Sequence, residues 1–337
     1  STRYVRKVRW HGHGWPPGVA QIGNVISWLD EAFEFIAHKE VHIAPQLCAL
    51  CDDEPSKMHF GRGAQVGLLV ALRHRKLGRV VVVVTTHLTS NFMEPVCQIA
   101  QAEVVMLAAA EFAKEHGPNA AVVLGADLNS IPGSGVYSLL TAGTLAADHP
   151  HLRIIAESVE LPSFGDDHGG GGAALSQPLH LSSAYATVLG HEPLFTNFTG
   201  PPSPFVGTLD YLMCNGELHA THALLLPSED TCREDGFLPS ARFPSDHLPL
   251  LAHFSFSSGA DDGAAAPMVT VPEEGSGSVG SPSSLPASAV WAAQIEAAPL
   301  EDSSPAKRSR GADGPSVAPA EGAGGEQRGR GRGGGSK

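Results

Sequence analysis

Ala120-Ala121-Val122-Val123-Leu124-Gly125-Ala126-Asp127-Leu128-Asn129-Ser130 decides how this chain reads. The run at 120–124 is short and apolar, it follows Gly117-Pro118, and it reads as a buried strand. Side chains alternate along a strand, so Asp127 and Asn129 at its C-terminal end point the same way. One offers a negative oxygen and the other an amide that can donate to a phosphate. Such a pair suits metal-assisted phosphodiester hydrolysis. Taken singly, Asp-x-Asn is also an ordinary turn, so the weight rests on three further pieces.

Upstream, the valines at 80–84 form another buried strand, which emerges at Thr85-Thr86-His87-Leu88. His87 there is either structural or a donor to a phosphate. Downstream, Val206-Gly207-Thr208-Leu209-Asp210-Tyr211-Leu212 puts a carboxylate inside an apolar strand. A buried carboxylate is costly unless it is paired. The partner expected is His247, in Pro244-Ser245-Asp246-His247-Leu248. One ring nitrogen would donate to Asp210, fixing the tautomer and leaving the other to face substrate. Asp246 would face the metal.

Around these pieces, strands alternate with helices. Residues 25–29 and 33–43 read as extended, 65–72 and 79–86 as paired strands, and 207–213 and 248–256 as closing strands. Residues 95–114 are apolar at helical spacing, and a short helix begins at 135–140. Gly165 to Ala174 reads as a loop insertion. The sum is a layered α/β domain with mixed strands at residues 1–256. Residues 257–337 are Gly, Ala, Ser and Pro with few aromatics, a composition that cannot bury enough apolar surface to fold. That tail holds a short helical stretch at 289–295, the basic patch Lys307-Arg308-Ser309-Arg310, and terminal Arg-Gly repeats of a kind seen in weak RNA-binding segments.

The formal charge is 22 − 35 = −13, which disfavours a protein that coats nucleic acid through a basic surface. Phosphate binding through a metal needs no such surface. Five cysteines, an odd number, argue against a disulfide framework and for a reducing compartment. Cys48-x-x-Cys51 lacks a second pair at finger spacing and reads as loop or core. No apolar run approaches membrane-spanning length. The basic start lacks the apolar stretch of a signal peptide.

The four pieces, in this order at strand ends, resemble the endonuclease/exonuclease/phosphatase superfamily. Ala126-Asp127-Leu128-Asn129-Ser130-Ile131-Pro132-Gly133-Ser134-Gly135 and Leu181-Ser182-Ser183-Ala184-Tyr185 are similar to carbon catabolite repressor type deadenylases. Glu192-Pro193-Leu194-Phe195-Thr196-Asn197, followed by Phe205-Val206-Gly207-Thr208-Leu209-Asp210-Tyr211, resembles their plant and green-algal branch, and Gln101 stands where that family has Gln. The resemblance implies a two-sheet β-sandwich flanked by helices. It implies removal of AMP from the 3′ end of poly(A) with magnesium, or manganese in its place. Asp127 and Asp246 would then bind metal, with Asp127 helping to activate water. Asn129 and His87 would hold the scissile phosphate, and His247, oriented by Asp210, would stabilise developing charge. Phe205 would stack on adenine, with Asn197 lining the same pocket. Single-stranded RNA and deadenylase subunits are the implied partners, with no membrane. The expected location is cytoplasmic, extended to the nucleus by the basic patch.

One family feature is missing, an L-Q-E-V strand whose Glu ligates magnesium. Lys39-Glu40-Val41 is the nearest counterpart, but residues 23–47 align better with the strands that follow it. The chain is therefore expected to start after the first two strands, with an exposed sheet edge, an uncovered patch of core and weak or no activity alone. Two other readings remain open: another phosphodiesterase or phosphatase of the superfamily, and a non-catalytic RNA-binding protein on a degenerate nuclease domain.

Overall fold

A computed structural model describes residues 2–8, 23–164 and 173–257, with residues 2–8, 173 and 174 described by backbone only. All of these fall within the unit Ser1–Ala297, and residues 298–337 lie outside the described residues. The expectations for the tail, for its Arg-Gly repeats and basic patch, and for residues 165–172 of the insertion also lie outside.

The centre is a mixed six-stranded sheet. Its strands are β3 (Phe33–His42), β4 (Val66–His74), β5 (Val80–Thr86), β6 (Ala121–Asp127), β12 (Asp210–Cys214) and β9 (Ser182–Ser183), side by side in that order. The β5–β6 pair is parallel and its neighbours are antiparallel. Valine-rich strands and alternating burial produce this, since β-branched side chains fit a pleated surface packed on both faces. On one face lie α1 (Ile43–Ala49), α3 (Pro95–Glu115) and α4 (Gly135–Ala142). Val82, Val84, Val122 and Leu124 meet Ile99, Val105 and Met106 there, all fully or almost fully buried.

The second layer is two separate strand pairs. One is β1 (Thr2–Val8) with β2 (Gly23–Leu29), whose Ile26 and Trp28 pack on Leu68, Val70 and Leu72. The other is β13 (Leu218–Ala223) with β14 (Ala252–Phe256), whose Leu218 packs with Val81, Ala121 and Cys214. Thr85, Gly125 and Leu212 face the same side, are only half-buried, and line an open cavity.

Several boundaries differ from expectation. The strand expected through residue 43 stops at His42, and α1 starts at Ile43. A second short helix, α2 (Glu54–Phe60), was not foreseen; Asp53 caps it by accepting from the Ser56 N–H at 2.8 Å, with Pro55 in its first turn. The strand expected at 207–213 is two strands. β11 (Phe205–Gly207) pairs with β10 (Asn197–Thr199), and then the chain crosses to β12. The Thr208 hydroxyl donates to the Pro193 carbonyl at 2.5 Å at that crossing. The closing strand begins at Ala252 rather than 248, because Leu248 N–H is taken by the Thr196 carbonyl at 2.7 Å. Helix α3 meets the length and composition for crossing a membrane, against expectation, but 83% of its most apolar stretch is buried in the protein. It is the core helix. All five cysteines are free.

Candidate active site

Strand directions bring the site together. Because β5 and β6 are parallel, their C-terminal ends share one edge of the sheet, and β12 runs antiparallel so that it begins there. His87 follows β5 and bridges to Asp127, the last residue of β6. Asp210, the first residue of β12, pairs directly with Asp127. His247 arrives on a separate segment, bridging to Asn197.

The ligand atoms of Asp127, Asp210 and His247 lie within 4.8 Å of one another. Nδ1 of His247 and Oδ2 of Asp210 are 2.7 Å apart, the pairing expected from the sequence. That hydrogen bond, opposed by burial, raises the His247 pKa to about 9, so its ring is an imidazolium at neutral pH. Nδ1–H therefore donates to Asp210. Burial, then the neighbouring charge of Asp210, raises the pKa of Asp127, and His87 works against both. Nε2 of His87 stands 3.3 Å from Oδ2 of Asp127.

Asn129 has a left-handed backbone, φ 46°, which a short amide side chain tolerates. Its N–H donates to Oδ1 of Asp127 at 2.9 Å, and its Nδ2 donates to the Leu88 carbonyl at 2.9 Å. One side-chain N–H is thus spent joining the ends of β5 and β6, and the other is left for a ligand. Asp246 is exposed and stands apart from the three clustered groups, although its charge helps to raise the pKa of His247. Phe205 is half-buried, and its ring lies over Gly207, where a Cβ would come within 2.9 Å of it. Asn197 is buried and pairs with Gly207, which places it beside that ring. Glu40 sits on the edge strand β3, paired with Leu68 and 3.6 Å from His42, outside the site.

Three supporting residues were not singled out from sequence. Thr196, fully buried, donates its hydroxyl hydrogen to Oδ2 of Asp210 at 2.6 Å and accepts from the N–H groups of Leu209 and Asp210. Gln98 donates to the carbonyls of Thr89 and Asn129 and accepts from the Ser130 hydroxyl, tying α3 to the loops that carry His87 and Asn129. The only signal for either was a polar residue inside an apolar stretch. Asn24, on β2, lines the same 420 Å³ cavity as His87, Asp127 and Asp210, and donates to the Val66 carbonyl at 2.7 Å.

Two half-buried carboxylates directly opposite each other hold surplus negative charge even with histidines beside them. Oxygen donors and that charge fit a hard divalent cation such as magnesium.

Residues 49–247 match the Endonuclease/Exonuclease/phosphatase family. Carbon catabolite repressor protein 4 homolog 4 of Arabidopsis thaliana is 33% identical over 196 residues, 56% of this chain and 41% of that protein. The CCR4-Not complex 3′-5′-exoribonuclease subunit Ccr4 of Coccidioides immitis is 37% identical over 139 residues, 41% of this chain and 16% of that protein. The chain thus spans less than half the length of these two relatives. Among solved structures, ANGEL2, a 2′,3′-cyclic phosphatase, superposes with a TM-score of 0.58 at 21% identity, covering 75% of this chain and 74% of that one, a likeness of fold.

Proposed function

This chain belongs to the Endonuclease/Exonuclease/phosphatase family, and on that premise we propose that it is a magnesium-dependent 3′-5′ exoribonuclease that removes AMP from poly(A). The observation that carries the reading is the convergence of Asp127, Asp210 and His247, with His87 against Asp127. The relatives named as exoribonuclease subunits support the substrate class.

Asp127 would hold the metal, with the exposed carboxylate of Asp246 as a second oxygen donor. A divalent cation bound there supplies Lewis-acid charge to the phosphoryl group. The protein's own residues do the rest. His247, held as imidazolium by Asp210, presents Nε2–H to a phosphoryl oxygen and stabilises the charge that builds on it. The free amide hydrogen of Asn129 and the ring of His87 position the scissile phosphate. Asp127, beside that cation, would help to orient and activate the attacking water. Phe205 stacks on the terminal adenine, with Asn197 at its edge.

The test is 5′-labelled RNA ending in a run of adenosines, incubated with magnesium. A shortening ladder that disappears with EDTA and in Asp127→Ala supports the reading. Shortening of poly(U) at the same rate moves the substrate elsewhere in the family. RNA binding by folded protein without shortening favours the non-catalytic alternative.

A further inference from the structure

A second group of metal-ligating side chains lies outside that site, where α3 begins. His59 on α2, Glu94 just before α3 and Cys97 in its first turn bring a nitrogen, an oxygen and a sulfur within 4.8 Å of one another. Nε2 of His59 is 3.2 Å from Sγ of Cys97, which is 3.9 Å from Oε2 of Glu94. The helix start sets two of these positions. Cys97 N–H donates to the Glu94 carbonyl at 3.0 Å, which puts both side chains on one side of the first turn. The third is fixed from α2, where the His59 ring meets the buried Phe60 edge-on at 4.9 Å.

We propose that His59, Glu94 and Cys97 form a binding site for a zinc-class divalent cation. A tetrahedral zinc, with bonds of about 2.0–2.3 Å, holds its donors about 3.5 Å apart. Both spacings from the sulfur, 3.2 and 3.9 Å, lie close to that value, and the nitrogen and oxygen are within 4.8 Å of each other. The donor set selects the metal: thiolate and imidazole favour zinc or cobalt over magnesium. Thiolate and carboxylate together neutralise a divalent charge, which lets a largely buried sulfur carry it. Three protein ligands leave a fourth position for water. Cys97 would bind as thiolate, the cation taking the place of its proton, which leaves to solvent.

The site would fasten more than itself. Gln98, the next residue, bonds the loops that carry His87 and Asn129, so the cation would clamp the helix turn that braces the catalytic loops. The proposal stands without any assignment of substrate.

The test titrates the full chain, stripped of metal and kept reduced, with cobalt(II) and then zinc. One equivalent of cobalt should give thiolate-to-metal charge-transfer absorption, and zinc should bleach it. That absorption should vanish in Cys97→Ser and persist in Asp127→Asn. His59→Gln and Glu94→Gln, at half-buried positions, should weaken zinc binding by at least about tenfold with the circular dichroism unchanged. They also keep the test decisive if Cys97→Ser does not fold. Absence of the absorption from folded wild-type protein overturns the proposal. So does its persistence in folded Cys97→Ser, or unchanged zinc affinity in both Gln variants.

Discussion

Asp127 and Asp210 face each other across one rung of an antiparallel ladder, two carboxylates where a sheet ordinarily places attraction. Like charges directly opposite are destabilising by up to about 1 kcal/mol. Asp127→Asn should therefore raise the melting temperature at neutral pH in the absence of metal while lowering poly(A) turnover on the order of thousand-fold, or about 4 kcal/mol of barrier. Thermal melting and single-turnover rates on the same preparation check both halves. A variant less stable than wild type would mean that the charges are compensated within the protein.

Thr196→Val keeps the shape and removes the hydroxyl that serves Asp210 and two backbone amides. Buried groups left unsatisfied cost about 1–3 kcal/mol. The expected result is a stability loss of that size with a fall in kcat, because His247 loses part of its anchor. Thr196→Ser, which retains the hydroxyl, should restore kcat. Equal kcat in the two variants would remove Thr196 from the chain of support.

Glu103 is fully buried on α3 with neither carboxylate oxygen partnered among the described residues, and burial raises its pKa from 4.5 to about 7. The folded protein holds this proton more tightly than the unfolded chain. Its contribution is fully present below pH about 4.5 and is lost as pH rises through about 7, a change of roughly 3 kcal/mol. Glu103→Met should flatten the pH dependence of the urea midpoint between pH 5 and 8, with most of its gain at pH 8. Parallel pH slopes for variant and wild type would sink this account.

Phe205→Ala should raise KM for poly(A) by a factor corresponding to about 1–3 kcal/mol of lost base stacking, with little change in kcat. Gly207→Ala should do the same less severely, since its Cβ would push the Phe205 ring from its seat. Initial-rate kinetics on an adenosine oligomer separate the two constants. An effect confined to kcat would deny Phe205 a binding role.

The central strands and the His87, Asp127, Asp210 and His247 quartet were legible because each joins a strong signal to a costly anomaly. A valine run announces a buried strand, and a charge at its end demands a partner. The pairing of Asp210 with His247 followed from that demand alone. Thr196, Gln98 and Asn24 were not legible, since a single polar side chain gives no hint of which distant carbonyl or carboxylate it serves. Helix α2 escaped because its seven residues carry too little periodicity to outweigh the turn signals around them. The break between β11 and β12 escaped for another reason: one apolar run fed two different pairings. Asp246 matches the family pattern and lies exposed beside His247, outside the tight cluster, a spacing that a motif does not carry.

Helix α3 is apolar nearly all round because strands wall one side of it and α4 the other. Those walls are made at different times. The chain is synthesised from its N-terminus, so β3, β4 and β5 leave the ribosome ahead of α3, whereas β6, α4 and β12 follow it. For that interval a segment able to pass for a membrane span stands half-dressed in water. Exposed apolar surface of this kind is what makes a partly folded chain prone to aggregate. Its final burial waits for β6, the strand that ends in Asp127.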